Sequence, residues 1–123
     1  MKKILVVDDE KEIRELLKEK LEKNKYAVLI AAGGQEALNI CKTNPPDLIL
    51  LDIAMPEMDG YLTCEKLKQD PKAKDIAVLF LTGKELQPQG IIERCKNLGA
   101  LGHISKLSTL KELMEKIQEI IGA

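Results

Sequence analysis

The sequence predicts an α/β protein in which helices cover both faces of a parallel sheet. Five short apolar segments alternate along the chain with five segments whose apolar residues recur at helical spacing. This alternation favours a parallel sheet, because parallel neighbours need a long crossover connection and a helix supplies one. The most apolar segment, Leu48-Ile49-Leu50-Leu51, lies between Pro45-Pro46 and Pro56 and is typical of a strand buried on both faces.

The first half of the chain contains two strand and helix pairs. We predict a strand over residues 3–7 and an amphipathic helix from 10 to about 23, with its leucines on one side. A second apolar strand follows over 27–31. The pair Gly33-Gly34 separates this strand from a helix that begins near Gln35 and ends before two prolines, which cannot continue a helix.

The middle of the chain contains the central strand, which ends at Leu51, and a third helix. Asp59-Gly60 opens this helix, and Asp70-Pro71 stops it. A fourth strand is predicted over 76–81, and it closes on the hydroxyl and glycine of Thr82-Gly83.

The last part of the chain contains a helix, a short strand and a final helix. The fourth helix covers 90–98, and Gly99 is placed to cap its C-terminus. A fifth strand follows over 101–104. Thr109 and Glu112 have the spacing of a capping box at the start of the last amphipathic helix.

Length and composition indicate one domain, which we expect to span residues 1–123. Charged residues make up 32%, but the net charge is only -1, which argues against a surface for nucleic acid or anionic membranes. Tyr26, Tyr61 and Phe80 are the only aromatic residues, too few to stack single-stranded bases. No segment is typical of a membrane span or a signal peptide. We therefore expect a cytoplasmic protein.

The three cysteines, Cys41, Cys64 and Cys95, all fall within helical patterns. They are odd in number and contain no CxxC pair, which disfavours disulfides and a zinc site. We expect reduced thiols that pack in the core.

Residues that carry chemistry follow four of the predicted strands. Asp8 and Asp9 follow the first strand, Asp52 the third, Thr82 the fourth and Lys106 the fifth. Each has an ordinary explanation as a turn or cap residue. In open parallel sheets, however, ligands bind outside the carboxyl ends of the strands. The agreement of five residues therefore predicts one site at that edge.

The carboxylates of this edge favour a hard divalent cation such as Mg²⁺. Magnesium prefers oxygen ligands and usually keeps water and substrate phosphate in its coordination shell. Asp9 and Asp52 are candidate direct ligands, and Asp8 is placed to reach the ion through water. A backbone carbonyl near Ala54 would complete the protein ligands.

The same residues favour phosphoryl transfer. Asp52 is the best candidate nucleophile, because a carboxylate on the central strand can form an acyl phosphate. Lys106, Thr82 and the amide of Gly83 would contact the phosphoryl oxygens, since positioning and charge neutralisation dominate this reaction.

The chain resembles the receiver domain of bacterial two-component response regulators, the chemotaxis regulator type included, over its whole length. The resemblance lies in Val6-Val7-Asp8-Asp9-Glu10, in Asp52-Ile53-Ala54-Met55-Pro56-Glu57-Met58-Asp59-Gly60, in Leu81-Thr82-Gly83 and in Lys106. It implies the flavodoxin-like strand order 2-1-3-4-5 with five flanking helices.

The resemblance also implies a function. Asp52 would accept a phosphoryl group from a sensor histidine kinase or a phosphotransfer protein, while Asp8 and Asp9 help to bind magnesium. Thr82 and Lys106 would contact the phosphoryl group and switch a surface that binds a downstream effector protein. The domain would then be a phosphoacceptor that assists its own phosphorylation and dephosphorylation, and we expect a monomer or weak dimer.

Two positions depart from the family pattern. Leu107 stands where the family usually has a proline in a cis peptide, and we expect a trans bond because cis costs about 2.5–4 kcal/mol before leucine. His103 stands where the family generally has the tyrosine or phenylalanine of its switch. The segment Ala100-Leu101-Gly102 also lacks the acidic pair common in receivers that dimerise through this face, which predicts a different output surface.

Three other functions fit parts of the pattern. A pseudo-receiver that binds partners without phosphorylation fits the departures at His103 and Leu107, but not the intact carboxylates. A flavin carrier would need hydroxyls and glycines where Asp8-Asp9-Glu10 stand. A dehalogenase-type phosphatase would need an acid two residues after Asp52, where the chain has Ala54.

Overall fold

The computed structural model describes residues 1–83 and 88–122. Strands and helices alternate along the chain as predicted. The elements are β1 (Lys3–Val7), α1 (Lys11–Lys23), β2 (Ala27–Ala31), α2 (Gly34–Thr43), β3 (Leu48–Asp52), α3 (Gly60–Gln69), β4 (Ala77–Thr82), α4 (Pro88–Leu98), β5 (Gly102–Ser105) and α5 (Leu110–Ile121).

The five strands form one parallel sheet in the order β2-β1-β3-β4-β5. This order confirms the flavodoxin-like topology. In the register, Val7 lies beside Leu51, and Thr82 lies beside Ser105. The carboxyl ends of β1, β3, β4 and β5 therefore meet at one edge of the sheet.

The sheet separates two apolar cores. One core packs the sheet against α2, α3 and α4, and the other packs it against α1 and α5. The four aliphatic residues of β3, 48–51, have no exposed surface, and they alternate between the two cores. The prediction of a central strand buried on both faces is confirmed.

The helix ends follow the predicted capping chemistry. Asp59 Oδ1 accepts a hydrogen bond from Leu62 N at 2.8 Å at the start of α3. Thr109 and Glu112 form the complete capping box of α5. Gly99 has a φ of 76° after α4, in the left-handed region that glycine tolerates.

Several predicted boundaries differ from the structure by one or two residues, among them those of β4, predicted over 76–81 and observed over Ala77–Thr82. Helix α4 begins at Pro88 and not at Gly90, because proline at a first helical position lacks only a hydrogen bond that is absent there anyway. Strand β5 begins at Gly102, and the preceding Leu101 is exposed although its N–H donates to Val78 O.

The cysteines are buried and free, as predicted. Burial raises the pKa of the Cys41 and Cys64 thiols to about 11, so both are neutral and unreactive near pH 7. Within the part of the chain that the structure describes, no helix is long and apolar enough to cross a membrane.

Gly60 brings the start of α3 against the end of β3. A Cβ atom at this position would lie 2.3 Å from the Asp52 carbonyl oxygen, which only glycine avoids. The Gly60 amide donates to Ile53 O at 2.8 Å. The Asp-Gly sequence that opens α3 therefore fixes the backbone on which Asp52 lies.

Candidate functional site

The candidate site lies at the carboxyl edge of the sheet, where β1, β3 and β5 end. Asp8 extends β1 by one residue, and its backbone N–H donates to Ala31 O at 3.1 Å. Asp52 is the last residue of β3. The Asp8 and Asp52 residues are only 0% and 2% exposed, which is unusual for carboxylates and requires a partner.

Lys106 supplies this partner from the loop after β5. Its Nζ lies 2.8 Å from Asp8 Oδ2, 3.2 Å from Asp52 Oδ1 and 3.4 Å from Glu10 Oε1. The Lys106 side chain is 14% exposed, so solvent screens its pairs with Asp8 and Asp52 much less than a surface ion pair. The structure thus brings three of the predicted site residues into direct contact.

The site shifts the pKa values of both Asp52 and Lys106. Burial raises the pKa of Asp52, the charge of Asp8 raises it further, and Lys106 opposes both, with a net result of about 7. For Lys106, burial lowers the pKa, but hydrogen bonding and the charges of Asp8 and Asp52 raise it above its ordinary value. Lys106 therefore stays charged at neutral pH, whereas Asp52 titrates there.

One oxygen of Asp52 has no hydrogen-bond partner within residues 1–83 and 88–122. Asp52 Oδ1 accepts from Ala54 N at 3.3 Å and contacts Lys106, but the buried Oδ2 accepts no hydrogen bond. A buried carboxylate oxygen without a partner costs free energy, unless a ligand or ion completes its contacts. Asp52 is thus buried but incompletely satisfied.

The acidic residues after β1 form a cluster. One carboxylate oxygen each from Asp8, Asp9 and Glu10 lie within 4.8 Å of one another. Asp9 is exposed, and its carboxylate is among the smaller causes that raise the pKa of Asp52. Oxygen donors at this spacing suit a hard divalent cation.

Sequence reasoning missed two residues of this site, Glu10 and Arg14. Glu10 contacts Lys106, and its backbone N–H donates to Asp8 Oδ1 at 2.9 Å. Arg14 Nη1 donates to Asp8 O at 2.8 Å from the first turns of α1. The acidic run Asp8-Asp9-Glu10 could have indicated that Glu10 belongs to the site. Nothing in the sequence distinguishes Arg14 from the other charged residues of the helix.

The other predicted residues lie near the same edge of the sheet. The Thr82 hydroxyl donates to Ile104 O at 3.4 Å, and Gly83 follows as a half-buried residue. Ala54 is exposed directly after β3. His103 is half-buried on β5, beside Phe80 of β4.

The loop that carries Lys106 contains no cis peptide, so the Lys106–Leu107 bond is trans as expected. The Lys106 backbone N–H donates to Thr82 O at 3.0 Å. This bond continues the pairing of β4 and β5 by one residue and directs the lysine toward the ends of β1 and β3.

Comparisons with known proteins show which family the chain belongs to. The family model described as the response regulator receiver domain matches residues 4–118. The probable transcriptional regulator ycf27 of Cyanophora paradoxa is 38% identical over 98% of this chain and 48% of its own length. The alkaline phosphatase synthesis transcriptional regulatory protein PhoP of Bacillus subtilis is 37% identical over 98% of this chain and 48% of its own. The chain therefore spans about half the length of the curated relatives it matches.

A solved structure of similar length extends the comparison. The chemotaxis protein CheY4 of Vibrio cholerae has a TM-score of 0.90 and 30% sequence identity, and the alignment covers 98% of each chain. The family match covers nearly all of the sheet and the site at its edge. The chain belongs to the family of response regulator receiver domains of two-component systems.

Proposed function

We propose that Asp52 accepts a phosphoryl group from the phosphohistidine of a sensor histidine kinase or phosphotransfer protein. The observation that carries this proposal is a buried carboxylate that contacts Lys106 while its second oxygen has no hydrogen-bond partner among the described residues. A purely structural aspartate would have both oxygens satisfied. Asp52 instead has one oxygen available for a new bond.

In the proposed reaction, an Asp52 carboxylate oxygen attacks the phosphorus atom of the phosphohistidine. The new O–P bond forms as the P–N bond breaks, and the imidazole leaves with the electron pair and a proton from solvent. Ionised Asp52 is the nucleophile, so its raised pKa makes the reactive fraction depend on pH near 7. Lys106 would move from its pair with Asp52 to a phosphoryl oxygen, where its positive charge offsets the added negative charge.

We propose Mg²⁺ as the cofactor, because the residues at the edge fit this ion. Asp8, Asp9 and Asp52 would hold it, together with the backbone carbonyl of Ala54. Two observations favour such an ion: the acidic cluster after β1, and the Asp52 Oδ2 atom, which has no hydrogen-bond partner among the described residues. When bound, magnesium supplies positive charge that neutralises the phosphoryl oxygens.

The proposed output is a change of surface near α4, β5 and α5. Thr82 and Gly83 would bind the phosphoryl group, and His103 would take the switch position on β5. We expect the 1–123 domain to act as a phosphoacceptor and not as a turnover enzyme, to bind an effector protein, and to be a monomer or weak dimer. Its net charge of -1 argues against direct contact of this domain with nucleic acid.

Intact-mass analysis after incubation with a small acyl phosphate donor tests the proposal. We expect one phosphoryl adduct in the presence of magnesium, a much weaker signal without magnesium, and no adduct in Asp52→Asn. Asp47→Asn is the matched control, since Asp47 is exposed and lies at the opposite end of β3. An adduct that persists in Asp52→Asn would contradict the assignment, and no adduct in the unsubstituted protein would favour a pseudo-receiver.

A further inference from the structure

We propose that the Ser105 hydroxyl positions Lys106 by closing the turn that follows β5. This role deepens the proposed function, since Lys106 is the residue through which Ser105 would act. Ser105 is therefore a positioning residue and does not itself contact Asp8 or Asp52.

Two hydrogen bonds close the turn around Lys106. Ser105 Oγ accepts from the Leu107 backbone N–H at 3.0 Å, and Ser105 O accepts from the Ser108 N–H at 3.0 Å. A side-chain hydroxyl that accepts from the amide two residues later is a recognised local turn motif. Both bonds span Lys106, so they restrict the backbone that carries its side chain.

The backbone of Lys106 is also fixed on its other side. Its own N–H donates to Thr82 O at 3.0 Å, which ties the residue to the end of β4. The long side chain must still hold its Nζ 2.8 Å from Asp8 Oδ2 and 3.2 Å from Asp52 Oδ1. A lysine side chain loses substantial rotamer entropy when it is ordered, so a fixed backbone favours this arrangement.

The Ser105 hydroxyl can restrain the turn because residue 107 is a leucine, whose backbone N–H is available as a donor. A proline there would have no N–H to donate, and its ring would restrict the backbone directly. Leu107 is 68% exposed, so its side chain contributes little burial. What Leu107 supplies to the turn is its N–H, and Ser105 is the acceptor. A hydrogen bond thus replaces a ring as the restraint on the lysine loop.

The first test measures proton exchange of the Lys106 ammonium by ¹⁵N NMR in magnesium-free buffer. We expect exchange in Ser105→Ala to be about two- to tenfold faster than in the unsubstituted protein, the range that one modest hydrogen bond provides. Ser105→Thr keeps the hydroxyl and should restore slow exchange. Ser108→Ala is the matched control, because it removes a hydroxyl from the same turn but keeps the backbone bond. Equal exchange rates in Ser105→Ala and the unsubstituted protein would overturn the proposal.

A double-mutant cycle with Leu107→Pro provides the second test. Because proline removes the N–H that Ser105 accepts, adding Ser105→Ala to Leu107→Pro should change ammonium exchange no further. An equal effect of Ser105→Ala in both backgrounds would contradict the proposed hydrogen bond. The phosphorylation rate is measured on the same variants. If the unsubstituted protein takes up no phosphoryl group, the proposed function fails, whereas ammonium exchange still decides the role of Ser105.

Discussion

Asp52 carries a stability penalty that depends on pH. Burial and the charge of Asp8 raise its pKa from 3.8 to about 7 in the native state. The native protein therefore keeps a proton that the unfolded chain releases between these pH values. By linkage, the free energy of unfolding falls as pH rises from about 4 to about 7.

Asp52→Asn should remove this part of the pH dependence. Without magnesium, we expect the variant to be more stable than the unsubstituted protein at pH 8, by an amount on the order of 4 kcal/mol in the free energy of unfolding, and to show a smaller difference at pH 4. Urea unfolding at several pH values measures both differences. If the two proteins differ by the same free energy of unfolding at every pH from 4 to 8, the pKa of Asp52 is not raised in the native state.

Substitution by alanine should have opposite effects on stability at Gly60 and at Gly90. In Gly60→Ala the new Cβ would lie 2.3 Å from the Asp52 carbonyl oxygen, so the backbone of β3 or α3 must move. We expect a loss of about 1–3 kcal/mol in the free energy of unfolding, together with slower phosphorylation of Asp52. Gly90 lies in α4, and no atom of the described part of the chain lies within 4 Å of its Cβ position, so Gly90→Ala should stabilise by about 0.5–1 kcal/mol. Thermal and urea unfolding of the two variants checks both signs.

At the scale of elements, an aromatic contact links α4 to α3 and the sheet. The Tyr61 ring on α3 packs edge-on against Phe80 of β4 with centroids 5.3 Å apart, and Arg94 of α4 lies 4.5 Å from the Tyr61 centroid. Phe80 also lies beside His103 in the register of β4 and β5. Arg94 therefore links α4 to α3 through Tyr61, and Tyr61 packs on the strand beside His103, the residue proposed above as the switch.

We expect Arg94→Ala to loosen α4 while the rest of the fold is retained. An exposed cation–π contact contributes about 0.5–1 kcal/mol, so amide hydrogen exchange in α4 should accelerate about two- to fivefold. Lys96→Ala is the matched control, because Lys96 is an exposed basic residue of the same helix. If hydrogen exchange accelerates equally in the two variants, the contact between Arg94 and Tyr61 does not stabilise α4.

The positions of the helices and strands could be predicted to within a few residues, because the sequence patterns that determine them are local. The apolar runs of β1 and β3, the Asp59 cap of α3 and the capping box of α5 all depend on residues within a few positions of one another. The start of β5 was placed one residue early because Leu101 is apolar but exposed in the structure. Hydrophobicity alone does not separate an exposed leucine before a strand from a buried one within it.

At the scale of the molecule, periodicity gave the parallel sheet but not the strand order. A local sequence pattern does not indicate that β1 pairs with both β2 and β3. The strand order was predicted from the resemblance to the receiver family. The edge with Asp8, Asp52 and Lys106 could be anticipated because all three follow strands. The contacts of Glu10 and Arg14 could not, since they depend on how α1 turns away from the sheet.

Magnesium should stabilise the whole fold through this edge. Asp8 and Asp52 are buried beside the exposed Asp9, and a divalent cation would offset their mutual repulsion. An ion that binds only the native state adds about 2.7 kcal/mol at 100 times its dissociation constant. We therefore expect the melting temperature at pH 8 to rise by several degrees between chelator and saturating magnesium.

Asp9→Ala decides whether the stabilisation arises at this site. The variant loses a proposed ligand and also some negative charge near Asp52, so it should melt higher than the unsubstituted protein in chelator but respond little to magnesium. Asp75→Ala removes an exposed acidic residue from the segment before β4 and should leave the full response intact. An undiminished rise in Asp9→Ala would place the cation elsewhere. A flat response in the unsubstituted protein would exclude a magnesium site of this strength at the sheet edge, and Lys106 would then be the counter-charge on which the buried carboxylates depend.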